Sequence, residues 1–271
     1  MHNQVDITGL GIISAIGNNT SQCLQSLIEG KSGIEKIRFL DTIHKDEFLV
    51  GEVKFSNNDL LELLEISKSQ AKNYTRTSLL GLYAAKEAFK NAGVSVNDGL
   101  KTAIVSATTV GGMDITENCY GKEDAGIEYI NTHLCCDSTN KIADFLKIYD
   151  YRATISTACS SAANAIIHGA RLIKQGIVDR VLAGGVDSLS KFTLNGFNSL
   201  MILDKEPCKP FDENRRGLNL GEGAGYIVLE SSKAIERKGN KAICRLSGYA
   251  NAMMLIIKRP PLLPEKVLTC Q

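Results

Sequence analysis

Apolar residues fall in two rhythms along this chain: short β-branched runs, and longer stretches that repeat every three or four positions. Residues 5–13 form the first run, punctuated by Gly9 and Gly11 and predicted as a strand. The turn-forming Gly17-Asn18-Asn19 follows, and a helix capped by Asn or Thr is expected to reach about Glu29. Between Arg76 and Asn91 the residues Leu82, Ala85, Phe89 and Ala92 recur at helical steps, and Ala92-Gly93 supplies a C-terminal stop. Strands are then predicted over residues 102–106, 153–155 and 178–183, with helices over 140–148 and 160–175 between them. Residues 204–225 read as a charged, glycine-rich loop, and strands at 226–230 and 241–247 flank a short helix. Strand and helix alternating in this way predict an α/β fold with a mostly parallel central sheet and helices on its faces.

Composition narrows the function classes. The chain has 271 residues, 44% hydrophobic and 23% charged, with a formal net charge of +1, which suits a large layered globular domain. Its cations are scattered, so the basic stripe that holds nucleic-acid phosphates is missing. No apolar run approaches the roughly eighteen residues of a membrane span, and the first residues lack a signal-peptide pattern, so a cytoplasmic location is expected. Eight cysteines occur without a Cys-x-x-Cys pair or a matching histidine spacing, so neither a metal site nor a disulfide framework is expected.

One of those cysteines has a distinctive setting. Ile155-Ser156-Thr157-Ala158-Cys159-Ser160-Ser161-Ala162-Ala163 places Cys159 between a short strand and a helix of small residues, at what reads as the start of that helix. Helix-start amides lack intrahelical partners and carry the positive end of the macrodipole, which favours a thiolate there and supplies a donor for an oxyanion. A buried thiol in a tightly packed helix is the structural alternative. Only His2, His44, His133 and His168 are present. His168 lies nine residues further along the same helix, about 13 Å away, too far for direct proton transfer and hence against a cysteine hydrolase or thiol-redox site. Gly9-Leu10-Gly11 begins like a dinucleotide fingerprint, but Ser14 stands at the expected third glycine, so no such cofactor is expected.

Taken in order, Ile7-Thr8-Gly9-Leu10-Gly11 with Ile16-Gly17-Asn18, Val110-Gly111-Gly112, Ser156-Thr157-Ala158-Cys159-Ser160-Ser161, Ala183-Gly184-Gly185, Lys209-Pro210-Phe211-Asp212 and Gly221-Glu222-Gly223-Ala224-Gly225 resemble the β-ketoacyl-acyl-carrier-protein synthases of the thiolase superfamily. The resemblance implies a thiolase-like fold, of which this chain holds the N-terminal αβα half while the second half is missing. It implies that Cys159 accepts the acyl group as a thioester, that Val110 lines the acyl pocket, and that Thr109, where many relatives have glycine, narrows it. Phe211 is placed with the substrate-binding residues, and Asp212 and Glu222 with those supporting the site. The implied reaction is decarboxylative Claisen condensation of the Cys159 thioester with malonyl-acyl-carrier protein, in fatty-acid or related polyketide or polyene synthesis. It needs no cofactor or metal; the implied partners are acyl carrier protein and a second copy in a homodimer. The family's two histidines, a lysine and a phenylalanine belong to the missing half, so a truncated inactive remnant or a non-catalytic dimer partner is the competing reading.

Residues 1–252 are thus expected to form the synthase domain and 253–271 an aberrant tail. Met253-Met254 must be encoded ATGATG, and one extra A ahead of it opens a frame that continues with the family's asparagine, aspartate, alanine, tyrosine and histidine. A one-base deletion is the expectation this raises.

Overall fold

The computed structural model describes residues 4–95, 98–123, 127, 129–239 and 241–252. The tail at 253–271, where a shifted reading frame is expected, lies outside the described residues.

A six-stranded sheet organises the chain. In chain order its strands are β1 (Val5–Ser14), β4 (Thr102–Ala107), β5 (Tyr151–Ile155), β6 (Arg180–Asp187), β7 (Gly223–Ser231) and β8 (Cys244–Arg245), and β2 (Glu35–Lys36) and β3 (Leu49–Val50) form a separate small pair. The spatial order is β5-β4-β6-β7-β1-β8. β4 pairs in parallel with both β5 and β6, whereas β7 is antiparallel to β6 and β1, and β8 is antiparallel to β1. Strands β1, β4, β5 and β6 therefore run one way and β7 and β8 the other, a mixed sheet with mostly parallel strands.

Helices cover both faces. On one, α4 (Arg76–Asn91) packs with α2 (Asn57–Leu63) and α7 (Cys135–Leu146), and on the other α8 (Ser161–Lys174) closes a second core of Ala103, Val105, Ala165, Ile173, Val181 and Leu229. α4 matches the predicted limits, with Thr75 as N-cap and Ala92 as C-cap. Its stretch from Arg76 to Leu82 is buried all round, as befits a helix enclosed between β1 and α7. The enclosure explains the first glycine motif: a Cβ on Gly11 would stand 2.0 Å from Ala84 O, and one on Gly9 2.4 Å from Ala88 O. Gly9-Leu10-Gly11 is thus a close strand-on-helix contact.

Several elements differ from the predicted ones. α7 starts at Cys135, five residues before the predicted 140. β8 shrinks to two residues from the predicted 241–247, because it is an edge strand held through Ile243 N–H to Ile7 O and Leu246 N–H to Val5 O, with Ile243 exposed. The remaining helices α1 (Thr20–Ile28), α3 (Lys68–Ala71), α5 (Met113–Cys119), α6 (Tyr129–His133), α9 (Lys191–Ser199) and α10 (Ser232–Lys238) are short connectors. α1, with Asn19 as its N-cap, is among those expected. Because β4, β5 and β6 are parallel, their C-terminal ends lie on one side of the sheet, the side on which open α/β sheets carry their crevices.

Candidate active site

Cys159 stands on that side, in the turn that joins β5 to α8. Ala158 adopts φ +51°, a left-handed conformation that costs an alanine on the order of 1–2 kcal/mol. Hydrogen bonds hold the turn around it. Thr157 N–H donates to Ser161 Oγ at 2.7 Å, Ser161 Oγ donates to Ala158 O at 2.7 Å, Ser160 Oγ donates to Thr157 O at 2.8 Å, and Asn164 Nδ2 donates to Thr157 Oγ1 at 2.9 Å. The small polar residues of the motif thus over-determine a strained turn that lifts the next side chain out of the fold. Cys159 is exposed and borders a cavity of about 210 Å³.

The helix starts slightly later than its sequence suggests. α8 runs from Ser161 with Ser160 as N-cap, so Cys159 precedes the cap instead of opening the helix. The Ser160 and Ser161 amides donate back to Thr157 O at 3.3 Å and Ala158 O at 3.1 Å. Ser160 makes no side-chain cap, so no side-chain oxygen at that position competes for the first-turn amides of α8.

Thr108, Ala107, Gly185, Asp187, Ala162 and Gly223 are among the other residues lining the cavity. Thr109 and Val110 lie next to it on the loop after β4, Thr109 exposed and Val110 half-buried, but neither lines the cavity itself. That loop is held by one carboxylate. Asp187 Oδ1 accepts from Thr108 Oγ1 at 2.6 Å, Thr109 N–H at 2.9 Å and Val110 N–H at 3.1 Å, while Oδ2 accepts from Thr109 Oγ1 at 2.9 Å. Thr77 Oγ1 donates to Gly111 O at 2.6 Å and so fixes the loop's far end.

Glu222 is buried with its side chain fully covered. It is paired with the Arg76 guanidinium, whose Nε lies 2.8 Å and 3.0 Å from its two oxygens, and accepts Val53 N–H at 3.0 Å and Leu189 N–H at 3.1 Å. It thereby ties α4, the segment after β3 and the segment after β6 together, next in sequence to Gly223 of the Cys159 cavity but bordering a separate one. Phe211 and Asp212 are exposed on the 204–222 loop, Phe211 at φ +64° and Asp212 accepting Asn214 N–H at 2.7 Å, and neither borders the Cys159 cavity.

Among the described residues no histidine lines that cavity; His168 Nε2 lies 2.9 Å from the Tyr151 hydroxyl instead. No group of three or more His, Cys, Asp or Glu residues able to hold a metal ion occurs among the described residues. No described helix is long and apolar enough to cross a membrane.

Two site residues escaped the sequence. Arg76 gives no signal before its partner 146 positions away is known. Asp187 carries a faint one, a carboxylate two residues after the Gly184-Gly185 pair at a strand end.

Asp114, on α5 beside the Glu222–Arg76 pair, has its pKa raised above the ordinary carboxylate value, chiefly by burial. Its Oδ2 accepts Arg76 N–H at 2.8 Å while the buried Oδ1 has no hydrogen-bond partner. A carboxyl with a raised folded-state pKa favours folding below its unfolded-state pKa, and that contribution is lost as pH rises through the folded value. Asp114→Asn keeps the acceptor and removes the charge. It is expected to raise the melting midpoint at pH 7 by roughly 2–4 °C, a gain that shrinks toward pH 4 in thermal melts across that range.

The profile of the β-ketoacyl synthase N-terminal domain matches residues 2–234. The 3-oxoacyl-(acyl-carrier-protein) synthase 2 of Staphylococcus aureus is 27% identical over 261 residues, covering 91% of this chain and 62% of that protein. Nodulation protein E of Rhizobium meliloti is 31% identical over 263 residues, covering 92% and 63%. Among solved structures, the ishigamide ketosynthase/chain length factor superposes with a TM-score of 0.79 at 27% identity, covering 89% of this chain and 62% of that one. The chain thus spans a little over three-fifths of the relatives it matches, and its α/β architecture is the thiolase-like one expected.

Proposed function

Because the chain belongs to the β-ketoacyl synthase family, matched through its N-terminal domain, we propose that it carries the acyl-accepting site of a 3-oxoacyl-acyl-carrier-protein synthase, with Cys159 as nucleophile. The observation that carries this reading is the placement of Cys159, exposed on a strained strand-to-helix turn and bordering a cavity at the C-terminal ends of β4 and β6. The Cys159 sulfur attacks the thioester carbonyl of an acyl group on acyl carrier protein. A carbon–sulfur bond forms at Cys159, the bond to the carrier sulfur breaks, and the proton leaves with the carrier thiol.

Condensation follows on the same carbonyl. Malonyl-carrier protein loses carbon dioxide, its carbanion forms a carbon–carbon bond to the acyl carbon, and the Cys159 sulfur departs and regains a proton. The groups that polarise the malonyl thioester are implied by the family to lie in the portion that this chain does not match. The whole condensation, in fatty-acid or polyketide-type synthesis, therefore needs those groups as well, and the residues described here supply the thioester half of it.

Glu222 supports the site indirectly, through its pair with Arg76 and the backbone amides that it holds. Thr109 and Val110 form the flank along which the acyl chain leaves the thiol, with Phe211 contributing to substrate binding and Asp212 to support of the site from the 204–222 loop. The outer edge of β5, unpaired among the described residues, offers a strand to a second copy, in keeping with a homodimer. The absence of a described membrane-spanning helix and the carrier-protein substrate named for the Staphylococcus relative agree with a cytoplasmic enzyme.

The test is sequential. The purified chain, incubated with a long-chain acyl-carrier protein and then with malonyl-carrier protein, is expected to gain an acyl adduct and to hold it without forming a 3-oxoacyl product. No adduct at all would favour the remnant or non-catalytic partner reading.

A further inference from the structure

The cavity at Cys159 is small. About 210 Å³ falls below the roughly 300–1,000 Å³ of ordinary ligand sites, so how much of an acyl chain can be seated against the thiol, instead of standing in solvent, depends on where the walls stand. Most of those walls are rigid. Ala107, Gly185 and Val186 belong to paired strands, Gly223 opens β7, Ala162 sits on α8, and the Ala158–Cys159 turn is fixed by the hydrogen bonds described above. Thr108 is the wall that lies outside the strands and helices; its N–H donates to Ile155 O at 3.3 Å, while its hydroxyl and the two residues after it are held at Asp187.

We infer that Asp187 is a positioning residue that sets the length of acyl chain accepted at Cys159, an inference that rests on the proposed acyl-accepting role of that thiol. Its carboxylate lies half-buried at the end of β6 and lines the cavity. It meets four donors from Thr108, Thr109 and Val110 between 2.6 and 3.1 Å. Three of them converge on Oδ1, which requires an atom that only accepts. Charge-assisted bonds of this kind are short and stiff, so the loop stands as a fixed wall while they persist. The adjoining residues repeat the design. Ser188 Oγ is 2.7 Å from Thr77 Oγ1, which itself donates to Gly111 O, and Leu189 N–H donates to Glu222. The far end of the loop therefore stays anchored when Asp187 is replaced, and water in the open cavity satisfies the freed donors. Loss of the carboxylate loosens one wall and leaves the fold intact.

The test uses two thiol probes, N-ethylmaleimide and N-dodecylmaleimide, with adducts mapped by peptide mass spectrometry. Replacing Asp187 by alanine removes all four bonds, most of them replaced by water, and is expected to raise the ratio of dodecyl to ethyl labelling rates at Cys159 about tenfold. Asp187→Asn retains an oxygen for the three convergent donors and an amide that donates to Thr109 Oγ1, so it is expected to keep the ratio of the unmodified protein. Exposed Cys136 and buried Cys23 are the controls. An unchanged ratio at Cys159 in the alanine variant overturns the inference, as does a rise accompanied by labelling of Cys23, which reports loosening of the whole fold, or an asparagine variant that behaves like alanine. Maleimide labelling is independent of acyl transfer. A chain that takes no acyl group from carrier protein but shows the Asp187-dependent ratio refutes the proposed function, and with it acyl selection by Asp187, while still showing that Asp187 sets the width of the cavity at Cys159.

Discussion

Glu222→Ala is expected to leave the chain unfolded or close to it. The substitution strands the Arg76 guanidinium, whose side chain is only 10% exposed, without its counter-charge. Breaking a buried pair in this way costs about 3–5 kcal/mol. The Val53 and Leu189 amides lose their acceptor at the same stroke, at roughly 1–3 kcal/mol for each buried donor left unmet. Set against total stabilities of about 5–15 kcal/mol, the sum removes most or all of the folding free energy. Arg76→Met combined with Glu222→Leu removes the stranded charge and restores part of the loss, but not the two amides. Urea denaturation separates these cases. The single variant should show no cooperative transition or a midpoint near zero denaturant, and the double variant a transition between it and the parent. A single variant within about 1 kcal/mol of the parent would contradict the role given to the pair.

Cys159→Ala is expected to abolish acyl transfer while leaving the melting midpoint unchanged. The side chain is exposed and the turn's hydrogen bonds run through Thr157, Ser160, Ser161 and Asn164, so removing the sulfur disturbs no packing. Among the described residues Cys136 and Cys244 are exposed as well. They supply the background that an ordinary accessible thiol gives with an acyl thioester, and the Cys159 signal should stand well above it. Residual labelling of the alanine variant at the parent's level would place the acceptor elsewhere.

Much of this was legible in the chain, and the exceptions have physical reasons. The long α4, the core strands and the strand–Cys159–helix junction could be placed because their local patterns were strong: regular apolar spacing, β-branched runs, and small polar residues around a cysteine. The one-residue offset at α8 arises because Ser160 and Ser161 turn their amides back to Thr157 and Ala158, a choice made by the positive φ of Ala158 and invisible to periodicity. Connectors such as α5, α9 and the β2–β3 pair are too short to show a period. What the sequence could least disclose is long-range pairing. Glu222 is easily noticed among its glycines, yet its meaning depends on Arg76, 146 positions away, and the meaning of Asp187 depends on donors 77–79 positions away.

The central claim is that the thiol on the β5–α8 turn takes up an acyl group. The direct measurement is intact-mass and peptide-level mass spectrometry of the unmodified protein after incubation with acyl-carrier protein. The account predicts a gain of one acyl group, carried by the peptide that contains Cys159 and released by hydroxylamine as a thioester. A protein that gains no mass, or whose acyl groups spread over Cys136 and Cys244 as readily as Cys159, would contradict it.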